Sequence, residues 1–410
     1  MSEFRKIAVK AWRKASRSLH WGLLWPARAL FRSFVPIDRS MIAFMTLRGN
    51  YGCNPKYIYE ELRRRKAPYR LVWLSIADVR KGGYPKGCRC VSVRSLRGIY
   101  YASRARLWID NGVIFSTLFE KRPGQLHAQT MHGSLGIKKL DNAVKAKRRE
   151  GRHGETVIRR ESQKTDVLFS NSEFEESVFR GVFWKDTPML RLGHARTDIL
   201  FDRDAGRIAE IRRRLRKRYG VPMEAKILLF APTYRRGVFP EEAICMDFRR
   251  LCDELDARFG GKFALLVRFH KMTHGVRLGK EARKAVFNVT DYPDMQELMQ
   301  VTDVGITDYS SWIFDYVLTR RPGFLFAPDA DAYETSTGLC YPLAEAPFPV
   351  ARNVDELLSA IRRFDAEGFE ERVESFLRGK QCTDDGHASE RIADWIAGAM
   401  EGKRGGVEHA

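Results

Sequence analysis

The sequence predicts a two-domain α/β protein in which two consecutive doubly wound halves face each other across a cleft. Three observations carry this. Short apolar runs alternate with stretches of helical spacing along most of the chain, as βαβ units require. The alternation starts again after a charge-dense stretch ending at Gly220 and Pro222. The 410 residues, 44% hydrophobic and 11% aromatic, suffice for two cores.

The chain opens on a basic amphipathic segment. Phe4, Ile7, Ala8, Ala11, Trp12 and Ala15 share one helical face, and Arg5, Lys6, Lys10, Arg13, Lys14 and Arg17 take the other. Leu19, Trp21, Leu23, Leu24, Trp25, Leu30, Phe31 and Phe34 follow, with Arg28 and Arg32 between them. Aromatic and aliphatic residues opposite Lys and Arg suit a helix lying in an anionic headgroup layer. A helix docked on the protein's own core and an organelle presequence are the competing readings. Residues 1–38 are therefore set apart as a membrane-associating segment.

Strands are expected over 41–47, 70–76, 107–110, 125–131, 166–170 and 189–193, with a helix over 57–66. These make a first α/β domain, 39–205. A helix over 207–219 marks the boundary, its stop signalled by Gly220 and Pro222. Strands over 226–231, 263–269, 286–289, 304–307 and 323–326, and a helix over 353–364, make a second, 206–385. Residues 386–410 are read as a terminal helix, 389–400, and a disordered tail.

A net charge of +21 calls for an anionic partner: nucleic acid, a membrane surface or a phosphorylated substrate. No nucleic-acid reader motif supports the first. Seven scattered cysteines without a CxxC pair argue against a disulfide framework or zinc site and fit a reducing cytoplasm. No apolar run reaches 18 residues, so no spanning helix is expected, and the start lacks a secretory signal. Neither HExxH nor a clustered carboxylate set occurs, so no metal or cofactor is called for.

Four strand ends carry chemistry-bearing residues. His132-Gly133-Ser134, followed by Lys138 and Lys139, comes directly after the strand ending near Met131. An imidazole there can take a proton from an attacking hydroxyl, and lysines can hold phosphate charge. Thr307-Asp308-Tyr309-Ser310-Ser311, running into Phe314 and Asp315, ends an apolar strand and opens a helix, a place where hydroxyls and unpaired amides meet anions. This segment is neither GxGxxG nor a P-loop. Arg268 and His270 share one face at the end of another strand. Thr233 and Arg235 follow the first strand of the second half. Each alone also fits a plain role: a loop histidine, a capping turn, a solvated basic loop. Their shared placement at successive strand ends favours a common site.

These residues resemble the CDP-glycerol glycerophosphotransferases of teichoic-acid and capsule synthesis. The resemblance runs over about residues 40–385. It rests on Asn54-Pro55-Lys56, Met131-His132-Gly133-Ser134 with Lys138-Lys139, and Gly193-His194-Ala195-Arg196-Thr197-Asp198. Ala231-Pro232-Thr233-Tyr234-Arg235, Arg268-Phe269-His270 and Ile306-Thr307-Asp308-Tyr309-Ser310-Ser311 complete it. It implies a GT-B-like fold and work at the cytoplasmic face of the cell membrane as a peripheral protein. It also implies cleavage of a CDP-polyol, CDP-glycerol above all, with release of CMP and extension of a lipid-linked acceptor. His132 and His270 are implied as catalytic. Gly133, Lys138, Thr233, Arg235, Arg268, Thr307, Asp308, Ser310, Ser311 and Asp315 are implied as substrate-binding. The chain departs from the family pattern at Met131, Leu135, Gly136, Ala195 and Lys271, which bears on the polyol and acceptor more than on the chemistry. It also lacks the long extra region of the large polymerases, which goes with addition of one or a few units. A nucleotide-sugar glycosyltransferase or epimerase on the same scaffold is the alternative expectation.

Overall fold

The computed structural model describes residues 24–47, 49–112, 115–136, 138–139, 162–233, 248–269 and 286–402. The expected helix over 4–17 and the tail beyond 402 lie outside them. Two parallel sheets organise the described residues. The first comprises β1 (Asp38–Phe44), β2 (Arg70–Ser75), β3 (Cys90–Ser92), β4 (Ala105–Asp110), β5 (Leu126–Gln129), β6 (Val167–Ser170) and β7 (Met189–Arg191). Their order across the sheet is β3-β2-β1-β4-β5-β6-β7. The second comprises β8 (Lys226–Phe230), β9 (Phe263–Val267), β10 (Val286–Asn288), β11 (Val304–Thr307), β12 (Gly323–Phe326) and β13 (Val350–Ala351), in the order β10-β9-β8-β11-β12-β13.

Both sheets grow outward from their first strand in both directions, the doubly wound pattern. Its winding reverses between β1 and β4 in one sheet and between β8 and β11 in the other, where ligand crevices open at the carboxyl ends. The central strands read as continuous apolar runs because helices cover both of their faces. Val304–Thr307 and Phe263–Val267 are buried throughout.

The helix Ala205–Tyr219 joins the lobes. The Asp204 side chain accepts from Arg207 N at its start. Gly220 ends it in a left-handed conformation, φ 80°, which a side chain would disfavour. The last helix, Ala388–Met400, returns to the first lobe. Trp395 packs edge-on against Phe169 at 5.1 Å, and the Asp198 carboxylate accepts from the amides of Ala388 and Ser389.

A second tie between the lobes is ionic. Lys56 Nζ lies 2.6 Å from Asp294 Oδ2 and 3.4 Å from Glu297 Oε1, and Tyr57 Oη donates to the same Asp294 oxygen. Asp294 Oδ1 caps the helix Met295–Val301 through Gln296 N. Burial alone would lower the lysine pKa, but Asp294, Glu60 and Glu297 outweigh it and raise it. Lys56→Met strands the Asp294 carboxylate in a buried place, so unfolding stability in urea is expected to fall by roughly 3–5 kcal/mol.

At the amino end of the described chain, the helix Trp25–Phe34 packs through Leu24 and Phe31 on the outer face of the first lobe. Its other side leaves Leu30 54% and Phe34 77% exposed. No helix among the described residues is long and apolar enough to cross a membrane.

Candidate active site

The loop after β5 starts beside the carboxyl end of β4. Thr130 donates from both its amide and its hydroxyl to Asp110 O. Met131 then turns left-handed at φ 48°, an uncommon conformation for a side-chain-bearing residue. It delivers His132 to an exposed position. His132 Nδ1 sits 2.7 Å from Asn111 O. A carbonyl only accepts, so Nδ1 carries the proton and Nε2 is the basic nitrogen. This is the tautomer that can take a proton from a hydroxyl.

A buried polar frame holds the loop from behind. Asn54 Nδ2 reaches the carbonyls of Thr130 and Met131 and His194 Nδ1, and Asn54 Oδ1 accepts from Arg196 N. His194 Nε2 meets Glu175 Oε2 at 2.9 Å. Asn171 Nδ2 donates to Ser134 Oγ and to Asp384 Oδ2, and His194 N donates to Asp384 Oδ1. Burial pushes the Asp384 pKa above the usual carboxylate range. Such a network fixes one arrangement of the loop, since each group left unpaired would carry the full desolvation cost.

In the second lobe the site grows from the neighbouring ends of β8 and β11. Asp308 Oδ1 accepts from the amides of Thr233 and Tyr309. Thr307 Oγ1 and Trp312 Nε1 both donate to Ala231 O. Thr233 Oγ1 is buried and has no hydrogen-bond partner among the described residues. Ser310 and Ser311, which follow Asp308 and Tyr309 in sequence, are half-buried. The helix they open, Trp312–Tyr316, is five residues long, continues as a 3-10 turn and has no side-chain cap. An anion there would meet local amides and hydroxyls rather than a long helix dipole.

The two halves are stitched together. Arg196 spans them: Nε and Nη2 bind the Asp315 carboxylate at 2.8 and 3.0 Å, while Nη2 also donates to Gly133 O at 2.7 Å. Burial would lower the Arg196 pKa, but the Asp315 charge more than reverses it. Gly136 lies against the Phe314 ring so closely that a Cβ would run into it. Tyr341 Oη donates to Leu135 O, Lys139 N donates to Gly338 O, and Lys139 Nζ pairs with Glu334. Lys138 Nζ stands 5.7 Å from the Tyr333 ring, which in turn stacks on Tyr309 at 3.7 Å. The histidine loop and the Thr307–Ser311 turn thus belong to one assembly.

The expected site residues occupy different layers of it. His132, Gly133, Lys138, Ser310 and Ser311 are exposed or half-buried. Arg268 is half-buried, with Nη1 donating to Tyr292 O. Thr307, Asp308 and Asp315 are internal, their polar atoms engaged by protein. For Asp315, expected to bind substrate, the geometry supports a positioning role instead. His270 and Arg235 lie outside the described residues. Asn54 and Arg196 lie in recognised motifs, but their part in holding the loop was not assigned from sequence. His194 also lies in a recognised motif without an assigned role, whereas Glu175, Asn171 and Asp384 gave no signal, being joined to it only by the fold. Among the described residues no group of three or more His, Cys, Asp or Glu is placed to hold a metal ion.

Two doubly wound lobes, with a histidine loop of one sewn to a hydroxyl-rich turn of the other, define a GT-B-like protein. The CDP-glycerol:poly(glycerophosphate) glycerophosphotransferase family matches residues 28–398, and the chain belongs to that family. It is 29% identical over 358 residues to the teichoic acid poly(glycerol phosphate) polymerase of Staphylococcus epidermidis, covering 85% of this chain and 49% of that protein. It is 28% identical over 380 residues to the teichoic acid glycerol-phosphate transferase of Staphylococcus aureus, covering 88% and 93% respectively. The chain therefore spans about half the length of the first relative and most of the second. A solved structure of the wall teichoic acid polymerase TagF, a histidine variant soaked with CDPG, superposes with a TM-score of 0.77 at 26% identity, covering 96% of this chain and 99% of that one.

Proposed function

We propose that the protein transfers a polyol phosphate, glycerol phosphate from CDP-glycerol, to a hydroxyl of a membrane-linked acceptor, with release of CMP, in the synthesis of a cell-envelope polymer of teichoic-acid or capsule type. The observation that carries this is the Asn111-locked tautomer of His132 on a loop tied to the Thr307–Ser311 turn. Family membership supports the donor, and the likeness to a transferase of similar length supports the reaction.

In the proposed reaction the acceptor oxygen attacks the glycerol-bearing phosphorus in line. A new P–O bond forms as the bond to the bridging oxygen breaks, and CMP leaves with that oxygen. His132 Nε2 takes the acceptor's proton. The protein's task is positioning and charge neutralisation, which the amides and hydroxyls of the Ser310–Ser311 turn, Lys138 and Arg268 are suited to supply. The test is a CMP-release screen with CDP-glycerol, CDP-ribitol and UDP-sugars against lipid-linked acceptors. Turnover of a UDP-sugar with no CMP from either CDP-polyol would move the chain to the glycosyltransferase or epimerase reading.

The same reading places the protein at the cytoplasmic membrane face, held by its basic amino-terminal segment. Support comes from the exposed Leu30 and Phe34 on a helix whose opposite side is docked on the first lobe. Burying such a side chain is worth about 1.5–3 kcal/mol. The pair Leu30→Ser and Phe34→Ser is thus expected to weaken binding to anionic liposomes by at least about 100-fold. Flotation of the folded variant with liposomes measures this, and wild-type-like binding would remove these residues from the contact.

A further inference from the structure

A cavity of about 260 Å3 lies on the outer face of the first lobe, away from the cleft. Arg28, Arg32, Ile99, Ser103, Trp108 and Phe119 are among its lining residues. Ser103 and the neighbouring Glu120 lie just ahead of β4 and β5, so the cavity sits toward the amino edge of the sheet. His132 follows the carboxyl end of β5, at the opposite edge.

The charge around this cavity is mostly cationic. The Arg28 guanidinium lies 5.6 Å from the centre of the Phe119 ring, and burial lowers its pKa. Arg32 is exposed at the rim. Arg122 stands close by, donating to Val35 O and Ser103 O, both neutral acceptors. Burial and then the nearby Arg32 charge lower the Arg122 pKa. Among the described residues neither Arg32 nor Arg122 is paired with a carboxylate. Glu120, on the wall, is within 3.0 Å of Lys164. Arg32 and Arg122, near one another and without a carboxylate, are stabilised by an anion placed beside them.

The other wall is apolar. Ile99 and Trp108 are fully buried, and Phe119 nearly so. A cationic rim over an apolar floor fits an amphiphile whose anionic group is a phosphate. The volume is just below the range of about 300–1,000 Å3 usual for small-molecule pockets, enough for a headgroup and the first carbons behind it. The rim helix also carries the exposed Leu30 and Phe34, which would set the cavity at headgroup depth.

We propose that this cavity binds the phosphate-bearing headgroup of a single anionic glycerophospholipid. Arg28 and Arg32 hold the phosphate, and the glycerol ester stem rests on Ile99, Trp108 and Phe119. The protein would then recognise one lipid molecule specifically, in addition to adsorbing on a charged surface. This rests on the membrane reading above for the source of the ligand and is independent of the transfer chemistry.

Calorimetric titration of the full chain with monomeric dihexanoylphosphatidylglycerol tests it, beside dihexanoylphosphatidylcholine and inorganic phosphate. Saturation is expected at one anionic lipid per chain, at least ten-fold tighter than for either comparison ligand. Arg32→Glu, at an exposed position, is expected to weaken that binding at least ten-fold while leaving CMP release with a soluble acceptor analogue unchanged. The Leu30→Ser and Phe34→Ser pair is expected to lose liposome binding but keep the short-chain lipid. Equal affinity for the choline lipid, or undiminished binding by folded Arg32→Glu, would overturn the proposal. Inorganic phosphate binding as tightly as the lipid would reduce the cavity to a bare anion site and overturn it too.

Discussion

Replacement of His132 by alanine is expected to lower CMP release by about 10²- to 10⁴-fold, the usual contribution of a positioned general base. Stability is expected to be nearly unchanged. The His132 side chain is exposed, and solvent can satisfy the Asn111 carbonyl that it meets once the ring is gone. The frame that shapes the loop uses the carbonyls of Thr130, Met131 and Gly133 and the hydroxyl of Ser134, none of which the substitution removes. A loss in the rate of the chemical step, with binding of CDP-glycerol retained, separates a base from a substrate-holding residue. Wild-type turnover by the folded variant would take His132 out of the mechanism.

The second large effect is expected at the Arg196–Asp315 pair. Both side chains are about 95% or more buried, so removing one partner strands the other. Arg196→Met or Asp315→Leu alone should cost roughly 3–5 kcal/mol of stability in urea unfolding. The double variant should recover most of that, because a buried ion pair replaced on both sides by apolar groups is often nearly neutral. Turnover should not recover with it. Without Arg196 the Gly133 carbonyl loses its donor, and the loop is free to shift against the second lobe. A displacement of about 1 Å at a reacting group can cost on the order of 10²-fold. Stability that returns while CMP release stays low marks the pair as a positioning device. Recovery of both together would make it only a structural tie.

Much of the architecture is legible in the sequence because buried parallel strands announce themselves as apolar runs. The runs over 226–231, 263–269 and 304–307 correspond to Lys226–Phe230, Phe263–Val267 and Val304–Thr307. The strands that escaped are Cys90–Ser92 and Val350–Ala351, the last strands of their sheets on one side, three and two residues long. Strands that short and partly exposed carry no periodic signal. The helices Leu96–Arg104 and Ala366–Gly379 went unassigned even though Ser95 and Asp365 cap them. One capping residue is too common a pattern to mark a helix start.

For the site, the sequence presents strand ends and their chemistry but not which polar atoms face inward. Thr307 and Asp308 read as ligand groups because they sit beside Ser310 and Ser311. Both are buried and meet protein instead, Thr307 Oγ1 donating to Ala231 O and Asp308 Oδ1 accepting from Thr233 N. Asp315 falls one helical turn into the short helix and meets Arg196, 119 residues away. The partnership of Asn54 with His194, across 140 residues, is likewise set by tertiary structure alone.

In the proposed reaction both lobes converge on one pyrophosphate. A crystal structure of the chain with bound CDP-glycerol measures it directly. The predicted result is a pyrophosphate hydrogen-bonded to the Ser310–Ser311 turn, with His132 Nε2 facing the glycerol-bearing phosphorus and room for one attacking oxygen between them. A nucleotide seated against one lobe alone, with His132 turned to bulk solvent far from phosphorus, would contradict it.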